Sequence, residues 1–447
     1  MFVHADLLRR ARENAPIGVG LIGAGKFGSM FLSQVPTTPG LRVVSIADLD
    51  PDRARKACHS VGWKGADVDA VRFTDDAVAM MAASDVHVVV EATGNPAAGI
   101  THARAAFASG KHIVMVNVEA DVLAGPLLSA EAADAGVVYS MAYGDQPALT
   151  CEMVDWARSC GFDVVAAGKG TKYLPIYHTS TPDTVWPQYG LTPEQARAAG
   201  MNSQMFNSFL DGTKSAIEMA AIANATGLSP PPDGLGFPPC GMDDLAQVLR
   251  PREAGGQLHH RGQVEVVSSL ERDGCPVARD LRWGVYVVFE APNDYAAACF
   301  RQYGMNTDSS GRYSAMYKPF HLIGLELNIS ILSAALLGRP TGTTRDFVGD
   351  AVATAKRDLK AGEELDGEGG YTVYGKLLPA ETSIAKGALP IGLAHGVALR
   401  RHVPAGETVG WTDVDVNDRL EAVIARREME RTFGAKSAAT ANARRWE

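Results

Sequence analysis

The sequence predicts an α/β protein: a doubly wound parallel sheet, then an α+β domain, then a small C-terminal β module. Three observations carry this expectation. Between Pro16 and Ser140 short apolar runs alternate with helix-patterned segments, as buried parallel strands joined by crossover helices do. A glycine turn, Gly23-Ala24-Gly25-Lys26-Phe27-Gly28, follows the first apolar run directly. The texture then changes near Val164, and again near Asp350.

Taken in order, Ile17–Ile22 reads as the first strand. Leu41–Ala47, Val71–Phe73, Val86–Glu91, His112–Val116 and Val137–Ser140 follow it as strands. Asp50–Val61, Pro96–Ser109 and Leu127–Ala135 read as the helices between them, closed by Gly62, Gly110 and Gly136. Met1 to Asn14 is a short amphipathic helix candidate. In the second domain Val164–Ala167, Val264–Ser268 and Val285–Glu290 read as strands, mixed with helices and a Pro/Gly-rich loop, Ser229 to Gly241. Pro319 suits the first turn of a buried helix running to Leu337, with Gly338 and Pro340 ending it. From Asp350 short strands and turns dominate, and Lys360-Ala361-Gly362-Glu363 is echoed by Pro404-Ala405-Gly406-Glu407. Asp418 to Glu447 reads as a charged helix with an Ala-rich, disordered end. The expected domains are residues 1–150, 151–345 and 346–420, with 421–447 as a charged helical tail.

The glycine turn is where chemistry enters. Gly23 permits the tight strand-to-helix turn, Gly25 lets the backbone approach a pyrophosphate, and Gly28 lets the helix pack close to the strand. The helix start at Lys26 and Phe27 then offers N–H groups to phosphates. Asp48, at the end of the second strand, stands where an acid accepts ribose hydroxyl hydrogen bonds. Strand, glycines, helix, strand and acid in this order predict a Rossmann domain that binds NAD or NADP. Asp48 favours NAD by repelling a 2′-phosphate, and Arg53 could partly compensate. Ligands in such sheets bind beyond the carboxyl ends of the strands. That rule adds Ala92, Thr93 and Gly94 to the cofactor rim, and Asn117, Glu119 and Asp145 to the substrate side.

Bulk properties bound the partners. A net charge of -9 over 447 residues disfavours nucleic acid and anionic membrane. No run is long enough to span a bilayer, and the first residues lack the apolar core of a signal peptide. The six cysteines show no CxxC or tight Cys/His cluster, a pattern of reduced thiols. The expectation is a cytoplasmic enzyme with a small-molecule substrate, working as a homo-oligomer.

Four constellations could carry the reaction. Lys169 and Lys172 lie in a glycine-rich segment after a strand, where they hold an anion or form a solvated basic loop. Lys214 and Glu218 share a helical face at i, i+4 and could move a substrate proton. Ser215-x-x-Glu218 also fits a capping box, in which Glu218 only caps its helix. Lys318 and His321 would sit at the start of the 319–337 helix, with Glu326 buried inside it and in need of a partner. His321 also reads as a satisfied core histidine. Asp145 either meets the substrate or caps the helix that follows. Asp145, Glu218 and Glu326 are the candidate ligands for a divalent ion, Mg or Mn, although no ligand spacing demands one.

Gly23–Gly28, Glu91-Ala92-Thr93-Gly94 and Lys111 to Asn117 resemble the homoserine-dehydrogenase-type nucleotide-binding domain. Val118-Glu119 stand where those enzymes carry lysine after the asparagine, which argues against homoserine as substrate. Leu389 to Gly396, continuing through Val416, resembles a SAF domain, a β-clip module of sugar-acid enzymes. The whole arrangement resembles the DXR-like (DRL) oxidoreductases. That resemblance implies a 1-deoxy-D-xylulose 5-phosphate reductoisomerase-like reaction, or oxidoisomerisation or dehydrogenation of a branched sugar acid. A non-catalytic NAD(P)-binding sensor is the alternative from another class.

Overall fold

The computed structural model describes residues 3–443, with 435–443 described by backbone alone. The chain falls into two compact units. The first comprises Met1–Leu149 and His321–Arg345; the second comprises Thr150–Phe320 and everything from Asp346 on.

In the first unit, β1 (Ile17–Ile22), β2 (Leu41–Ala47), β3 (Arg72–Thr74), β4 (Val88–Glu91), β5 (His112–Met115) and β6 (Tyr139–Met141) form one sheet. All its pairings are parallel, in the order β3-β2-β1-β4-β5-β6. This is the Rossmann arrangement, and its order reverses between β1 and β4, where a crevice opens beyond the strand ends. Every residue of β1 and β4 is buried, which is why both read as unbroken apolar runs. Asp50, Asn95 and Asn117 cap the helices after β2, β4 and β5, accepting N–H bonds from Arg53, Ala98 and Ala120.

Two elements of this unit depart from the sequence reading. The helix expected over Leu127–Ala135 runs from Val118 to Asp134. Its first half is buried nearly all round, so it shows no amphipathic period, and Pro126 lies inside it. No helix starts at Pro319: Tyr313–Lys318 is a strand, turns follow, and only Asn328–Leu332 is α-helical. A π-helical stretch, Ser333–Leu337, then ends at Gly338 with φ +61. The segment is apolar because Leu327, Ile331 and Leu332 enter the core around Phe31 and Leu32. Residues 321–345, which the boundary at 345 assigns to the second domain, therefore complete the first unit. The Met141 N–H donates to Gly342 C=O at 2.8 Å, and the Thr344 hydroxyl to Asp121 at 3.1 Å.

The second unit contains β7 (Asp163–Thr171), β8 (Gln263–Ser268), β9 (Val285–Glu290) and β10 (Tyr313–Lys318) in the order β10-β9-β7-β8. β7 runs parallel to β8 and antiparallel to β9. It extends beyond Ala167, so Lys169 lies in a strand and not in a loop. Its glycines are there for close backbone approach: a Cβ at Gly168 would fall 1.9 Å from Glu265 O, and one at Gly170 1.9 Å from Leu281 O. Further on, β11 (Gly349–Ala355) pairs with β13 (Val373–Pro379), and β12 (Glu364–Asp366) with β14 (His395–Ala398), both antiparallel. The helix Thr213–Thr226 packs against β7, β8, β11 and β13 and is buried nearly all round.

The last helix, Glu421–Ala443, is docked where a charged tail was expected. Ala422, Val423, Ala425 and Met429 are buried, and Arg426 is fully so. Arg426 pairs with Asp350 at 2.5 Å and Glu430 at 2.8 Å. The disordered end expected beyond it falls on residues whose side chains, or whole placement from 444 on, lie outside the described residues. Among the described residues no helix is long and apolar enough to cross a membrane.

Candidate functional site

In the first unit the three glycines meet three different demands. Gly23 has φ +90, and a Cβ there would fall 2.7 Å from Ala92 O. A Cβ at Gly28 would fall 2.4 Å from Gly23 O, so the helix Lys26–Gln34 touches the turn itself. Gly25 has nothing within 4 Å. A side chain there would project into open space beside a helix start that no side chain caps. That space and those N–H groups fit a pyrophosphate. Lys26, Thr93 and Gly94 are exposed around it, and Phe27 and Ala92 half-buried.

Asp48 is committed to this turn. It accepts the Ala24 N–H at 2.9 Å, the Asp50 N–H at 3.0 Å and the Arg53 guanidinium at 2.5 Å. Burial raises its pKa, but the Asp50 and Ala24 N–H bonds and then Arg53 outweigh that and hold it below the usual carboxylate range. At the next strand tip, buried Glu91 accepts the Thr93 hydroxyl at 2.5 Å and lies 3.3 Å from His102 Nδ1.

The remaining first-unit candidates divide. The Asn117 side chain is used structurally, capping its helix and donating to Asn95 C=O at 2.7 Å. Glu119, half-buried, lies in the first turn of that helix. The Tyr143–Asp145 loop and the 321–326 loop come together, since a Cβ at Gly144 would fall 2.7 Å from Leu322 O and 2.9 Å from the Glu326 Cβ. Asp145 accepts the Gln146 N–H at 2.9 Å, and Glu326 the Leu322 N–H at 3.2 Å. His321 is half-buried in a loop rather than at a helix start. Lys318 ends β10 in the second unit, its ammonium 5.1 Å from the Phe320 ring centroid. Among the described residues no group of three His, Cys, Asp or Glu side chains could hold a metal ion.

The sequence reading missed one acid here. Asp121 is fully buried and accepts the Tyr139 hydroxyl at 3.0 Å and the Thr344 hydroxyl at 3.1 Å, both on one oxygen. Burial raises its pKa to about 7, against the pull of those two bonds. The signal was a lone acid in the apolar run Ala120 to Ala124. Its folded pKa exceeds its unfolded one, so the stability it contributes is complete below about pH 4 and is lost as pH rises toward 7. Urea unfolding of Asp121→Asn should therefore lack this slope. Relative to the variant, the wild type should lose up to about 1.4 kcal/mol per pH unit across that window. Identical slopes in the two proteins would refute the assignment.

The second unit holds an ionic centre. Lys169 on β7 and Glu218 on the helix Thr213–Thr226 form an ion pair, 7% and 4% exposed. Glu218 does not cap its helix: that helix starts at Thr213 after Gly212, and Ser215 lies inside it. The capping-box alternative is thereby excluded. Lys214, half-buried, occupies the first turn. Lys172 is not solvated either: its ammonium donates to Gln188 C=O, and burial, then Arg282, lower its pKa.

At the start of the helix that carries Glu218 lies a cluster that sequence reasoning did not assemble. The His178 Nδ1–H donates to Asp211 C=O at 2.7 Å, which leaves Nε2 to accept the Tyr173 hydroxyl at 2.9 Å. The Asp211 carboxylate pairs with buried Lys356 at 2.8 Å and accepts the Thr213 N–H at 2.9 Å, anchoring the helix start. Phe237 stacks on Tyr173 at 3.8 Å, and Tyr374 on His178 at 4.6 Å. Phe237 holds this position at φ +49, a left-handed conformation that is strained for an aromatic residue. The Glu265 carboxylate accepts its N–H at 3.2 Å and that of Gly236 at 3.0 Å, while Arg272 donates to both carbonyls. The available signals were the Pro/Gly-rich loop and a lone acid in the apolar strand Gln263–Ser268.

Two family models match the chain. Residues 17–116 match the NAD-binding Rossmann fold of an oxidoreductase family, and residues 144–327 the catalytic domain of the DRL oxidoreductases. Each match covers less than half of the chain, and both are to oxidoreductase families. No curated protein matches the chain. Among solved structures it is similar to an NAD-binding oxidoreductase from Klebsiella pneumoniae (18% identity, 37% of this chain and 47% of that one, TM-score 0.27). It is also similar to a myo-inositol dehydrogenase from Lactobacillus casei solved with NAD(H) and myo-inositol (16%, 38% and 50%, 0.29). A third is a biliverdin reductase from Synechocystis (20%, 38% and 54%, 0.26). The chain spans about half the length of each.

Proposed function

We infer that this chain is an NAD(P)-dependent oxidoreductase that moves a hydride to or from a small, polyhydroxylated, anionic substrate in a reductoisomerase-type reaction. The buried Lys169–Glu218 pair carries this reading. Desolvating two charges costs more than an apolar pair of the same volume would, so stability does not account for their presence. We assign this pair a catalytic role. The nicotinamide, when bound, supplies or accepts the hydride. Lys169 polarises the substrate oxygen and gives or takes its proton as the carbon is reduced or oxidised. Glu218 fixes the ammonium on the strand and balances its charge. Lys214 and Lys172, in the same unit, orient the substrate. We read residues 346–420 as a SAF-type β-clip.

Of the two cofactors, NAD fits better. Asp48 stays ionised at the glycine turn, where its charge repels a 2′-phosphate. Arg53 is already engaged by it. In steady-state assays on a panel of sugar phosphates and sugar acids, kcat/KM should favour NAD over NADP by about tenfold or more. Asp48→Ser should narrow that ratio, and a ratio unmoved by the substitution would refute the role of Asp48. Dinucleotide binding with no turnover on any substrate would favour the sensor over the enzyme.

A further inference from the structure

Lys376, on β13, differs from the other lysines of the second unit's interior. Lys169, Lys172 and Lys356 each have a carboxylate or carbonyl partner. Lys376 is half-buried, yet its ammonium makes no hydrogen bond or ion pair among the described residues. A partly desolvated cation without a counter-charge is unfavourable by itself.

Its neighbours are residues of β13 and of the Pro/Gly-rich loop. Tyr374 and Lys376 share one face of β13 by the two-residue period of a strand. Tyr374 stacks on His178, and the charge of Lys376 reaches that ring, adding to the burial that keeps the imidazole neutral. On another side lies the Pro/Gly-rich loop. A Cβ at Gly234, where φ is +93, would fall 3.0 Å from the Lys376 Cε, so only glycine leaves the lysine stem this room. Asp233, next along the loop, is exposed and does not pair with it. The loop is held from below by Glu265 and Arg272 through the strained backbone at Phe237. Gly212, at the start of the helix that carries Glu218, lies against His178: a Cβ there would fall 3.1 Å from its Cε1.

We propose that Lys376 is the anchor of an oxyanion subsite, taking the phosphate or carboxylate group of the substrate, with the Gly234–Phe237 loop and the Tyr173, His178 and Tyr374 rings as its walls. The proposal rests on the reading of the second unit as the substrate-binding one. It also gives the C-terminal β module a task, since β13 contributes the anchoring charge.

Inorganic phosphate and glycolate are the probes, titrated into the full-length protein by calorimetry without dinucleotide. One or both should bind the wild type, and the tighter of the two names the anion. Lys376→Met should weaken that binding by about 10- to 100-fold, as loss of a charged hydrogen bond does. Lys376→Arg should retain it. Equal binding to wild type and Lys376→Met, or binding of neither probe to the wild type, would overturn the proposal. Failure of the underlying reading appears elsewhere, as full turnover in a protein lacking Lys169, whatever the anion titration gives.

Discussion

A Lys169→Met protein should turn over about 10² to 10⁴ times more slowly than wild type, the usual contribution of a positioned proton donor. Its dinucleotide affinity should be unchanged, because the glycine cradle belongs to the other unit. The same substitution leaves Glu218 buried without its cation, which costs about 3–5 kcal/mol in stability. The two effects are separable. Lys169→Met combined with Glu218→Gln should recover most of the stability, measured by urea unfolding, and none of the turnover. Lys169→Arg should also be slow, since a guanidinium does not release its proton at working pH. Near-wild-type turnover in the double variant would sink the catalytic role of Lys169, whatever its folding.

Arg426→Leu should destabilise the second unit by about 3–5 kcal/mol, lowering its Tm by roughly 10 °C. Arg426 and Asp350 are each fully buried, and the guanidinium also lies 4.8 Å from the Phe347 ring centroid. Removing it leaves the Asp350 carboxylate with the Ser383 hydroxyl as its remaining side-chain partner among the described residues. Arg426→Leu with Asp350→Leu should recover much of the loss, because apolar packing avoids the desolvation. Thermal unfolding by circular dichroism reads both. Dinucleotide binding, measured alongside, should not move. A single variant as stable as wild type would mean that the last helix is not held by this pair.

The Rossmann half was legible because its signals are local. The central strands are apolar runs, the helices after β2, β4 and β5 each have a side-chain cap at their own start, and the glycines act on their own turn. What stayed hidden depends on contacts distant in sequence. The first half of the helix from Val118 and the Thr213–Thr226 helix are buried nearly all round, so no period marks them. Glu218 has an attractive i, i+4 neighbour in Lys214, but the ion pair with Lys169 joins its helix to β7 and no local spacing could suggest it. His178, Asp211, Tyr374 and Lys376 converge only after β13 packs against the helix start. The reading of 319–337 failed for a related reason: its apolar residues serve the core of a unit whose sheet ends near residue 141.

That last segment has a consequence for how the protein is made. The first unit cannot close its core until synthesis has passed Leu327, Ile331 and Leu332, and the β6 end waits for Gly342. A nascent chain that stops near residue 150 therefore carries a complete sheet with an apolar socket open on it. Such a fragment should recruit chaperones or aggregate, and adding residues 321–345 in trans is the natural way to rescue it.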